Sequence, residues 1–103
     1  MNYLLEISEV AEGEILGIES RVALNSPKNA KAITDNLVKS MRNLTLFPKM
    51  GVALKGKFGI DTNFRALFNS KYPYVTIYEV IDKTVYILRV LPSKSEYIKT
   101  LGF

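Results

Sequence analysis

The spacing of apolar residues changes twice along this chain, and each change predicts a different kind of element. Tyr3 to Ile7 is apolar except for Glu6, which suits an opening strand. Ser8 follows as a helix cap. Glu9, Glu12 and Glu14 fall in the next turns, where carboxylates suit the positive end of a helix dipole. Val10, Ile15, Ile18 and Val22 form an approximate helical stripe. Gly13 and Gly17 each weaken that helix by roughly 1 kcal/mol relative to alanine, and they allow close packing on a neighbour. Asn25-Ser26-Pro27 is a boundary, with Ser26 as a cap and Pro27 at the first helical position. Beyond it Ala30, Ile33, Leu37, Met41 and Leu44 recur at spacings of three and four, while Lys28, Lys31, Asp35, Lys39 and Arg42 occupy the other face. The pattern predicts an amphipathic helix ended by Phe47-Pro48-Lys49-Met50-Gly51, and a two-helix antiparallel hairpin.

The last third turns to strands, over about 62–69, 74–81 and 84–91. Hairpin-length connections lie at Asn69–Pro73 and at Asp82-Lys83. In the first strand Phe64, Ala66 and Phe68 share one face; Arg65, Leu67 and Asn69 share the other. Between helix and strands, Lys55-Gly56-Lys57-Phe58-Gly59 reads as a mobile basic loop, too irregular for a phosphate-cradling motif. The fold class is α+β, a single domain over residues 1–103. An N-terminal strand and a helical hairpin pack on one face of a mainly antiparallel sheet whose other face is partly open.

Composition narrows the chemistry. No cysteine and no histidine occur among the 103 residues, so thiol chemistry is excluded, as is the side chain most used as a general base near neutral pH. No metal and no cofactor is expected. No apolar run approaches the ~20 residues that cross a bilayer, and the acid at Glu6 argues against a secretory signal, so a cytoplasmic protein without a membrane partner is expected. Charge divides unevenly. Glu6, Glu9, Glu12, Glu14 and Glu19 against Arg21 give residues 1–24 a net charge of −4, and the remainder carries +8. Such a basic body suits a polyanion or an acidic protein partner, or is simply a solvated lysine-rich surface.

Several pieces then resemble one family in order and spacing. They are Ala30 early in the second helix; Leu46-Phe47-Pro48 with Gly51 three residues on; Arg65; Tyr74 and Tyr78; and Ile87-Leu88-Arg89-Val90-Leu91 before a polar tail. Together they resemble the RelE/ParE toxins of bacterial type II toxin–antitoxin pairs, which cause growth arrest and serve in plasmid stabilization. The Leu-x-Pro-x-x-Gly turn and the Ile-Leu-Arg-Val-Leu strand look especially ParE-like. The resemblance implies a β-α-α-β-β-β toxin, a cognate antitoxin that wraps it, and one of two targets. RelE-like members are endoribonucleases that cut mRNA on the ribosome; ParE-like members poison DNA gyrase; a relative that only binds its antitoxin is a third reading.

Ribosome-dependent mRNA cleavage is the leading expectation from this resemblance. It implies Arg65, Lys94 and Tyr97 as catalytic residues, aligning the 2′-hydroxyl and neutralising the scissile phosphate. Lys55, Lys57 and Arg89 are the expected nucleic-acid contacts. Two departures from the RelE pattern stand against it: Val75 occupies a usual arginine position, and Pro92 lies where some relatives carry histidine. Each candidate also has a structural reading. Arg65 suits solvent or a pair with Glu79, Arg89 an ion pair, Tyr74 and Tyr78 strand packing, and Tyr97, Ile98 and Leu101 a docked terminal helix. An exposed apolar groove for the antitoxin is expected between hairpin and sheet, and self-association is expected to compete for it when the antitoxin is absent.

Overall fold

The computed structural model describes residues 2–103. Strand β1 (Leu4–Ile7) leads into helix α1 (Glu9–Ala23), capped by the Ser8 hydroxyl, which accepts from the Ala11 N–H at 3.0 Å. Helix α2 (Pro27–Asn43) begins with Ser26 accepting from the Asn29 N–H and Pro27 in the first turn. Strands β3 (Arg65–Phe68), β4 (Tyr74–Ile81) and β5 (Thr84–Pro92) follow in antiparallel succession. β1 joins β5 in parallel, so the five-stranded sheet is mixed, in the order β1-β5-β4-β3-β2. The turn into β5 places Asp82 at φ 54°, a left-handed position that aspartate tolerates.

Of three short elements, two were not expected, and the third, a terminal helix, was one of two readings of the tail. Val52–Ala53 pairs with β3 as edge strand β2. The supposed mobile loop is instead helix α3 (Leu54–Phe58), closed by Gly59 at φ 67°. Gly59 is therefore a left-handed helix cap that a Cβ would strain. Tyr97–Thr100 forms helix α4. The first strand of the antiparallel trio also starts at Arg65, later than 62.

These additions change the sheet's second face. The hairpin covers the first face, where Ile18, Leu37, Met41 and Leu44 pack on Tyr78, Val85, Ile87 and Val90. On the other face Leu54 and Tyr97 cover Ala66, Val75, Ile77 and Leu91. That face is partly closed by a second small core, and all of Val75 to Tyr78 is buried.

A bulge sets which residues of β5 face which core. Ile77 lies opposite Arg89 and Tyr78 opposite Ile87, leaving Leu88 as the extra residue. Strict alternation would put Arg89 and Leu91 with Val85 and Ile87. Across the bulge Val90 takes the hairpin side and Leu91 the second core. The hairpin satisfies the irregular backbone: the Ser8 hydroxyl donates to the Leu88 carbonyl at 2.9 Å, and the Val90 N–H donates to Glu14 Oε1 at 2.8 Å.

Candidate functional site

The Pro48–Gly51 turn is held by two side chains from neighbouring strands. The Tyr78 hydroxyl donates to the Pro48 carbonyl at 2.7 Å and accepts from the Gly51 N–H at 2.9 Å. Gly51 approaches so closely that a Cβ there would lie 2.7 Å from the Tyr78 oxygen and 2.9 Å from the Ala66 carbonyl. Arg65 completes the clamp. Its Nη2 donates to the Gly51 and Lys49 carbonyls at 2.8 and 3.2 Å, and its Nε to the Gly51 carbonyl at 3.1 Å. Arg65 is thus neither snorkelling freely nor paired with Glu79. Tyr78 exceeds its packing role, since its hydroxyl is the bridge across the turn.

Register puts Arg65 opposite Tyr78, hence on the hairpin face of the sheet. Tyr97 lies on the other face, in the core with Val75 and Ile77, its ring edge-on to Phe68 at 6.0 Å between centroids. The structure therefore separates two of the three expected catalytic residues by the thickness of the sheet. Of the two readings of Tyr97, exposed tail residue or docked terminal helix, the structure has the second, with the ring buried. Burial pushes the Tyr97 phenol above its ordinary value. No buried side-chain polar atom among the described residues lacks a partner, and the Tyr97 hydroxyl bonds to none of those residues, so the hydroxyl reaches solvent. Lys94, the third member, is exposed in the turn between β5 and α4.

A pH dependence follows from Tyr97. Its raised pKa means the unfolded chain gives up this proton first, so stability is kept below about pH 10 and lost as pH rises past it. The Tyr97→Phe variant should show a shallower fall in unfolding free energy above about pH 10 than the parent, measured by urea titration at stepped pH.

The expected nucleic-acid contacts divide between α3, which carries Lys55 and Lys57, and β5, which carries Arg89. Lys55 lies 3.7 Å from Asp61 on the surface. Lys57 lies over the rings of Phe68 and Phe58, 4.9 and 5.6 Å from their centroids. Arg89 is committed to the fold: it pairs with Glu14 through Nη2 at 2.8 Å and Nε at 3.0 and 3.2 Å, both side chains largely buried. The hydrogen bond and charge of Glu14 raise the Arg89 pKa further, against the effect of burial. Val75 is fully buried, so an arginine there would enter a core and not a binding surface. Among the described residues no cluster of three or more His, Cys, Asp or Glu could hold a metal.

A cleft of about 490 Å³ does open where hairpin meets sheet. Gly13, Gly17 and Arg21 of α1 form one wall; Tyr74, Val90 and Pro92 form the other, with the Glu14 carboxylate between them. The two glycines leave helix backbone uncovered there instead of giving the close packing on a neighbour that the sequence suggests, since a Cβ at Gly13 would meet nothing within 4 Å. The sequence does not reveal the Glu14 anchor, because its partners lie 75 and 76 residues away.

Comparison with known proteins agrees with this fold. No curated protein matches the chain in sequence. The chain resembles the solved chromosomal ParDE toxin–antitoxin system of P. aeruginosa, at 19% identity and TM-score 0.74, over 89% of this chain and 97% of that one. It also resembles an arginine-substituted mutant of the E. coli toxin RelE in the free state, at 17% identity and TM-score 0.68, over 97% of this chain and 93% of that one. The family model described as the ParE toxin of the type II toxin–antitoxin system parDE matches residues 5–97. Because that match spans nearly the whole chain, the protein belongs to the ParE family of type II toxins, within the RelE/ParE group.

Proposed function

We propose that this type II toxin arrests growth by docking on a protein target, DNA gyrase, without catalysis of its own. The observation that carries this reading is the placement of Arg65 and Tyr97 on opposite faces of the sheet. A single phosphodiester cannot be in contact with both while the sheet stays folded. The remaining cations support the same reading. The Arg65 guanidinium faces backbone carbonyls, and Arg89 is paired with Glu14, so both guanidiniums are engaged within the fold. Ribosome-dependent mRNA cleavage, the leading expectation from sequence, needs several cations converging on one phosphate.

The antitoxin is assigned the cleft between α1 and the ends of β4 and β5. Its apolar walls suit buried side chains, and Arg21 suits a carboxylate.

The test is the Lys94→Ala/Tyr97→Phe double variant, expressed from an inducible promoter. A docking toxin arrests growth as the parent does, within about twofold in survivors, because neither change removes a large surface. An RNA-cleaving toxin loses at least about a hundredfold in activity, the scale of losing one positioned acid–base group.

A further inference from the structure

The clamped turn presents apolar side chains to water. Leu46, Phe47 and Met50 are 56%, 64% and 47% exposed, yet the backbone between them is fixed by Tyr78 and Arg65. A run of large exposed apolar residues marks an interaction site more often than chance, and a fixed backbone lowers the ordering cost of binding. Two depressions meet here. One of about 520 Å³ is lined by Leu46, Phe47 and Met50, and one of about 220 Å³ by Asn63, Arg65 and Val80. Tyr3, Pro48 and Lys49 line both, so they form one groove.

The charge of this groove has one sign. Lys49 and Arg65 line it, and Lys83 lies 5.1 Å above the Tyr3 ring; no acidic side chain lines either depression. Arg65 makes its bonds to carbonyls and keeps its charge without a carboxylate among the described residues. The groove is also separate from the cleft beside α1, with which it shares no lining residue.

The geometry points to this groove as the surface that engages the protein target, through a segment of that target bearing apolar anchors and carboxylates. The inference rests on the docking reading above, and it assigns that reading to Leu46, Phe47, Lys49 and Met50. Phe47 and Met50 act as anchors, and Lys49 and Lys83 steer the acidic segment.

Purified DNA gyrase is the probe, with affinity for the full chain and inhibition of supercoiling as readouts. Phe47→Ser/Met50→Ser changes exposed side chains and leaves the clamp intact; unchanged thermal unfolding confirms the fold. The expected result is at least about a tenfold loss of affinity, with supercoiling inhibition falling in parallel. Lys49→Glu should weaken binding most at low salt. Leu24→Ser, at an 86% exposed residue of the hairpin turn, should leave both readouts unchanged. If the double variant binds and inhibits as the parent does, the groove assignment is overturned while the gyrase reading stands. If the parent itself neither binds gyrase nor slows supercoiling, the target reading fails and the assignment falls with it.

Discussion

Gly51→Ala is expected to destabilise the protein by about 3 kcal/mol, the upper range for forcing atoms into a packed site. The added Cβ would meet the Tyr78 oxygen at 2.7 Å, Tyr78 Cε1 at 2.8 Å and the Ala66 carbonyl at 2.9 Å. None of these can give way cheaply. Tyr78 is fully buried and held at its hydroxyl by Pro48 and Gly51, and Ala66 is paired on both sides, with Val52 and with Ile77. Relief therefore requires the turn to move outward, which breaks the Gly51 N–H bond and draws its carbonyl from Arg65. Urea unfolding at neutral pH measures the loss as a lowered midpoint at unchanged slope. A cost below about 1 kcal/mol would show that the turn is looser than these contacts require. Tyr78→Phe removes the nearest atom along with the clamp bonds, so it should cost less in the Gly51→Ala background than in the parent, and the double-mutant cycle measures that coupling.

Glu14→Ala should cost a comparable amount, about 3 kcal/mol, for a different reason. One carboxylate serves two groups that the bulge leaves irregular, the Arg89 guanidinium and the Val90 N–H. The side chains of Arg89 and Glu14 are 28% and 20% exposed, so both are only partly hydrated. Removing the carboxylate leaves a mostly buried cation and a backbone donor without partners, and breaking a fully buried pair costs about 3–5 kcal/mol. Partial exposure of this pair places the expectation at the lower end. Glu14→Gln keeps an acceptor for Val90 and should lose less. A loss under about 0.5 kcal/mol, by urea unfolding, would mark the contact as an ordinary surface pair.

Both variants act on features that the sequence shows only in part. Helix α2 was legible because a long amphipathic stripe, a serine cap and a proline agree with one another. The Leu-x-Pro-x-x-Gly turn was legible as a turn. What holds it was not, because Tyr78 lies 27 residues from Gly51 and its role depends on a register that no local pattern encodes. Arg65 was picked out from the family resemblance. Its bonds run to backbone carbonyls, which every residue carries, so residue types could not indicate them. Arg89 forms the ion pair that was its structural reading, but Leu91 lies in the second core and not with Val85 and Ile87, because one extra residue at Leu88 reverses the alternation on which face assignments rest. Strand β2 has two residues, too few for an alternation to reveal it. Tyr97 read equally well as an exposed tail residue or as part of a docked terminal helix, and in the first reading the expected catalytic set looked contiguous when the sheet divides it.

The most direct test of a docking toxin is pulse labelling of DNA and protein synthesis in the first minutes after induction in a bacterium. The account predicts that DNA synthesis falls first, with filamentation following and messenger RNA left uncut. A prompt fall in protein synthesis alone, with cleaved messages on the ribosome, would contradict it.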